Sequence, residues 1–195
     1  MIAATSVSLA GCSAAVSGLA QPTSTTGAPT SSDSSTEIST GSSIQAPRVA
    51  DPLDATRFVN DPCSALTAPE LTAIDAKNAV ASGPVNTVGN TGCSWSGESG
   101  GGINIGWQTA ESNGLSDLYA HSGMIAYWQP TTVAGYPAAH GDPLGDNRSL
   151  GACMISVAVN DHLYFESDYT GPNADTSCAL ARQAAADVIK NLSGS

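Results

Sequence analysis

The chain has 195 residues, of which only 12% are charged, and 6 Lys+Arg against 17 Asp+Glu give a formal net charge of −11. So little positive charge cannot track a phosphate backbone or hold an anionic bilayer, which argues against nucleic acid as a partner. No stretch reaches the roughly 18 to 20 consecutive apolar residues of a membrane-spanning helix.

The N-terminus is apolar and small. Leu9-Ala10-Gly11-Cys12 matches a bacterial lipobox, in which small residues admit the peptidase and the cysteine thiol receives a diacylglyceryl group through a thioether. Residues 1–11 are expected to be a signal peptide that leaves Cys12 as the lipidated N-terminus. Met1 to Ala10 carry no Lys or Arg. A signal normally opens on basic residues, which leaves two readings: either Met1 is internal to a longer signal whose charges lie upstream, or the start is real and export is inefficient, which weakens the lipid assignment.

Residues 13 to 50 hold sixteen Ser and Thr, three charged side chains and no aromatic residue. A tract with so little to bury cannot offset about 1 to 2 kcal/mol per residue of backbone entropy. Residues 12–50 are therefore predicted to be a disordered, lipidated linker. All ten aromatics lie at or after Phe58, so residues 51–195 form the expected globular domain, of ordinary size for a single core.

Within that domain Thr67-Ala-Pro-Glu70 is a capping box with Leu66 and Leu71 placed as a hydrophobic staple, so a helix starts near residue 68. Cys93-Ser-Trp95 and Ile103, Ile105, Trp107 alternate across a Gly-rich turn and read as a hairpin over 93–109. Leu115, Leu118 and Tyr119 have helical spacing. Thr131 to Ala138, interrupted by Pro137, reads as an edge strand. Cys153, Ile155, Val157 and Val159, then Leu163, Phe165 and Tyr169, flank Asn160-Asp-His162 as a second hairpin. A helix of about four turns, opened by Asp175 or Thr176, carries Ala181, Ala185, Val188 and Leu192 on one stripe. This order, with strand pairs joined by short turns, predicts an α+β domain. An antiparallel sheet of about five strands packs against N- and C-terminal helices.

Cys63, Cys93, Cys153 and Cys178 form an even set in a chain read as exported, which predicts two disulfides. Three connectivities are open. The preferred one joins Cys63 to Cys93, start of the capped helix to first strand, and Cys153 to Cys178, second hairpin to last helix. A Cys₄ zinc site would want close C-x₂₋₄-C pairs, which are absent.

Together, lipobox Cys12, the Ser/Thr-rich tether, Asp61-Pro-Cys63-Ser-Ala-Leu66-Thr67, Gly92-Cys93-Ser-Trp95, Cys153-Met-Ile-Ser-Val157 and a late Cys178 resemble actinobacterial lipoproteins grouped as domain-of-unknown-function family 3558. The resemblance spans about residues 51 to 192. It implies an envelope lipoprotein with a compact α+β domain and no assigned chemistry.

Catalytic constellations were sought. Gly92-Cys-Ser94-Trp-Ser96 departs from G-x-S-x-G at its last position and sits on a strand. Gly100-Gly-Gly102 lacks the Lys-Ser/Thr of a phosphate loop. His121, His140 and His162 have no metal-ligand spacing. His140 with Asp142 and Asp146 is a local cluster that could invite a cation, but it lacks the alternation of an EF-hand loop, and Arg148 is placed to pair with either carboxylate. No catalytic, cofactor or metal residue is assigned. Tyr127, Trp128 and Tyr136, with Pro130 and Pro137, are the candidate binding surface, weighed against plain core packing.

The expectation is a membrane-tethered envelope lipoprotein acting as a non-catalytic binding or accessory module for an envelope protein, a lipid or a cell-wall component. An envelope hydrolase would need Ser94, His162 and a buried carboxylate brought together. A purely structural lipoprotein would show no cavity above about 300 Å³.

Overall fold

The computed structural model describes residues 44–76, 81–87, 90–97 and 100–194. The predicted signal segment, the predicted lipidation site Cys12 and the predicted linker as far as residue 43 lie outside the described residues. The domain is α+β, as expected. Seven strands, β1 (Ala81–Thr87), β2 (Asn90–Ser96), β3 (Gly102–Trp107), β4 (Gln129–Val133), β5 (Tyr136–His140), β6 (Ala152–Asn160) and β7 (Leu163–Thr170), form one antiparallel sheet. Their order is β1-β2-β3-β7-β6-β5-β4. The helices are α1 (Thr56–Asn60), α2 (Ala68–Ala73), α3 (Leu115–Ala120) and α4 (Ala174–Ser193).

The sheet exceeds the expected five strands for two local reasons. Ser82-Gly-Pro84 punctuates β1 and hides it as a loop, yet at the sheet edge a proline removes no ladder hydrogen bond, and the pairing shifts register between Ala81 and Pro84. The predicted single strand Thr131 to Ala138 is a hairpin. Ala134 and Gly135 both have positive φ (49° and 88°), forming the two-residue turn that matches the strand twist. The edge is therefore β4, and Pro137 lies on the second strand. Its missing N–H costs nothing there, because pairing with β6 begins only at Ala138.

The helix over 68–73 starts at Thr67 in the predicted capping box, with the Glu70 carboxylate accepting from the Thr67 N–H at 2.7 Å. The last helix runs longer than expected. Its cap is Asn173, whose side chain accepts from the Thr176 N–H at 3.0 Å, and it continues for 20 residues. Ala181, Ala184, Ala185 and Val188 are fully buried. These small residues let the helix axis approach the sheet closely, and the buried Ser167 Oγ donates to the Ala181 carbonyl at 2.8 Å.

Strand pairing sets three rows on the face beneath α4: Trp95–Ile103–Tyr169–Cys153, Cys93–Ile105–Ser167–Ile155 and Trp107–Phe165–Val157–Ala138. Trp107 lies in the third row, with ring centroids 5.1 Å from Phe165 and 6.4 Å from Phe58 of α1. Both disulfides have the preferred pairing. Cys63–Cys93 joins the turn before α2 to β2, and Cys153–Cys178 joins β6 to α4, with Cα separations of 5.1 and 5.0 Å.

The linker boundary expected at residue 51 lies too late. Val49 is buried, its N–H donates to Asp161 Oδ1 at 3.0 Å, the Ala46 N–H donates to Ser116 Oγ at 3.2 Å, and Arg48 pairs with Asp161. Residues 46–49 thus form a strap over α3 and the β6–β7 turn. The strap escaped prediction because its anchoring groups are mostly backbone N–H donors.

Candidate functional site on the second face of the sheet

The face opposite α4 is built differently. A small apolar cluster of Val49, Leu115, Leu118, Tyr119, Ala139, Ala158 and Tyr164 covers only one end of it. Beyond that cluster, strand pairing lays out two polar rows. The first is Gly92–Gly106–Glu166–Ser156–Ala139 and the second Ser94–Asn104–Asp168–Met154. Small residues, Gly106 and Ser156, flank Glu166 in its row. A Cβ on Gly106 would meet nothing nearer than the Gln108 amide at 3.6 Å.

Glu166 Oε2 accepts from Gln108 Nε2 at 2.7 Å, and Gln108 Oε1 accepts from Asn90 Nδ2 at 2.6 Å. Burial, with the Asp142, Asp168 and Glu111 carboxylates adding repulsion, pushes the Glu166 carboxyl up to about 7. Burial and Asp142 push Asp168 up to about 6. No described Lys or Arg pairs with either acid, since Arg148 is engaged with Asp146 and Arg48 with Asp161. Directly across from Glu166, the Ser156 hydroxyl is fully buried and has no hydrogen-bond partner. These are the residues that sequence reasoning missed. Tyr164, Glu166 and Asp168 alternate with the core residues of β7, so the pattern reads them as an ordinary solvated face.

The candidates named from sequence are dispersed. His140 and Asp142 do not converge. His140 is half-buried on the helix-facing side, its Nδ1 3.2 Å from the Met154 carbonyl and 3.9 Å from Cys153 Sγ, and burial lowers its pKa. Asp142 serves the other face, where it couples to Glu166 and Asp168. Asp146 is consumed by a two-pronged contact with Arg148 (2.8 and 2.7 Å), which holds its carboxyl down at about 2. Cys153 and Cys178 approach His140, but the disulfide removes both as thiolate ligands.

Tyr127, Trp128 and Tyr136 do not make one surface. Trp128 meets Tyr119 edge-on at 5.0 Å, and the Tyr136 hydroxyl donates to the Asp51 carbonyl at 3.0 Å. Both side chains are half-buried against the smaller cluster. Tyr127 lies under the Arg148 guanidinium, 3.4 Å from ring centroid to Cζ, beside Asp142 and Asp168. Ser94 and His162 are not brought together either. Ser94 Oγ donates to Asn104 Oδ1, opposite Asp168, whereas His162 is six residues further back along β7, roughly 20 Å away, with Nδ1 on the Ser112 carbonyl.

Among the described residues there are cavities larger than about 300 Å³. One of about 420 Å³ lies under the strap, between Arg48, Ser116, Asp117 and His162. Another of about 390 Å³ is bounded by Asp75, Gly101, Tyr169 and Thr176.

The second face thus carries a half-buried acidic row flanked by neutral polar side chains. The chain matches the model of a family described as a protein of unknown function (DUF3558) over residues 7–191, and it belongs to that family. Comparison with curated proteins and with solved structures gives no match.

Proposed function

We propose that the chain is an extracytoplasmic module, held at the cell membrane by a diacylglyceryl group on Cys12, that binds a ligand of the envelope rather than converting it. The observation that carries the location is the disulfide pair. All four domain cysteines are committed to two bonds that brace helix against sheet, a construction that persists in oxidising compartments. A diacyl anchor holds two chains in the bilayer, so the chain's charge of −11 is no obstacle to attachment. The binding role is supported by the polar second face and by the cavity under the strap.

A second reading, an envelope hydrolase, is favoured by one observation: the Glu166 carboxyl, held near neutrality, has the proton affinity of a general acid–base group. It would need a substrate cleft over β7, and turnover of an ester, glycoside or peptide substrate abolished in E166Q would establish it.

The test of the main reading is fractionation and intact mass. The wild-type chain expressed in a lipoprotein-processing bacterium is expected in the membrane pellet, with a lipid adduct and a gain of about 4 Da on reduction, two hydrogens for each of two disulfides. Cys12→Ala is expected in the soluble fraction. An unacylated wild-type chain, or a variant still in the pellet, would overturn the anchoring.

A further inference from the structure

The strap of residues 46–49 is attached through side chains. Among the described residues it makes no backbone–backbone hydrogen bond, and the first such bond after it is the Leu53 N–H donating to the Val159 carbonyl at 2.8 Å. Its N–H groups go to the surface beneath, Ala46 to Ser116 Oγ of α3 and Val49 to Asp161 Oδ1 of the β6–β7 turn. The other Asp161 oxygen takes the Arg48 guanidinium. Ala46 and Val49 set their side chains against the smaller apolar cluster, whereas the Arg48 side chain is 88% exposed. Pro47 keeps the segment from turning helical, since it constrains itself and the residue before it. A cavity of about 420 Å³ remains between the strap, α3 and the turn, so the strap bridges this groove without filling it. A segment held by a few side-chain contacts over open volume belongs to the low end of local stability. Apolar anchors, a matched charge and main-chain N–H groups on receptor acceptors are also how extended peptides are recognised.

We propose that the groove between α3 and the β6–β7 turn is a docking site for an extended, proline-containing basic segment of a partner protein, with residues 46–49 as the occupant held in cis until that segment displaces them. The strap displays the chemistry that the groove accepts: a small apolar residue, a proline, a basic residue and a β-branched apolar one. Asp161 is the selective element, because its two oxygens read a positive charge and the next residue's N–H together. Asp117 also lines the groove, and the chain's net charge of −11 favours the approach of a basic segment over an acidic one. When the strap lifts, Asp161 loses both partners and the cluster holding Leu115 and Ala158 loses Val49. An incoming segment of the same pattern restores all of these contacts. The strap competes at an effective concentration on the order of millimolar, so the resting chain rejects poorly matched segments.

The proposal deepens the binding reading by naming a class of ligand. It does not depend on the anchor, so its failure and that of the Cys12→Ala test are separate results. The probe is a fluorescein-labelled peptide of the strap's own sequence, Gln45–Pro52, titrated by anisotropy into the full chain in detergent. R48A/V49A weakens the cis occupant and leaves the groove untouched. This variant should bind the peptide saturably and at least about tenfold more tightly than the wild type does. Adding D161N should weaken that binding at least about fivefold, as should a peptide with Glu in place of its Arg. Far-UV circular dichroism verifies that the variants fold. Amide exchange of the wild type gives a reading without any peptide: the Ala46 and Val49 N–H groups should exchange faster than those of β6 and β7. Equal binding by wild type and R48A/V49A, no saturation below about 1 mM, or affinity indifferent to D161N would overturn the proposal. So would strap amides as protected as those of β6, or a stable wild-type dimer in sedimentation, which would make a second copy's strap the occupant.

Discussion

The two faces of the sheet use the same strands to opposite ends. Beneath α4, alternate residues of β2, β3, β6 and β7 are mostly apolar and interlock with an alanine-rich helix, and the buried Ser167 among them is satisfied by the Ala181 carbonyl. On the other face the neighbouring residues of those strands are Ser94, Asn104, Glu166, Asp168 and Ser156, and an apolar cap covers only one end. One face accumulates dispersion and burial, so any cavity in it is costly. The other holds two carboxyls whose charged form burial and neighbouring carboxylates disfavour. Core packing and half-buried charge are thereby separated by a single layer of backbone.

Substitutions can break this contrast from either side. Trp107→Ala removes the ring between Phe58 and Phe165, and urea denaturation should show a loss of about 3–5 kcal/mol with little pH dependence. Replacing Cys153 and Cys178 together by Ala releases α4 from β6. It should cost about 3 kcal/mol in the same assay, the chain-entropy value for a loop of this size.

Glu166→Gln should act in the opposite sense. The folded carboxyl titrates at about 7, above its ordinary value of 4.5, so the native state holds a proton the unfolded chain has already released. Native stability therefore falls as pH rises from about 4.5 to 7. The variant should be more stable than wild type by about 3 kcal/mol near pH 8 and equal to it near pH 4. Urea midpoints that rise with pH in the wild type across that window would refute the assignment of charge strain to this face.

The helix-facing side was legible in the sequence because its signals are periodic. Ile103, Ile105 and Trp107, then Ile155, Val157 and Val159, alternate cleanly, Thr67 and Glu70 announce a helix start, and four cysteines joined as preferred. The second face was not legible. Glu166 and Asp168 sit at positions where acids are ordinarily solvated. Only the pairing of β7 between β3 and β6, with the loop bearing Asp142 above, takes them out of water. His140 and Asp142 looked like one cluster because they are two residues apart, yet His140 ends a strand facing α4 while Asp142 begins a loop on the other side. Aromatic Trp128 and Tyr136 suggested recognition, but short separation in sequence says nothing of which cluster each ring completes.

The order of the cysteine pairs carries a further consequence. Cys63 joins the next cysteine along the chain, Cys93, and Cys153 joins the one after it, Cys178, so the two covalent rings neither overlap nor nest. A polypeptide emerging N-terminus first presents these four thiols in the sequence in which they must unite. A simple oxidase acting on each new pair as it appears would yield the native pattern, with no need for an isomerase to shuffle mismatched bonds.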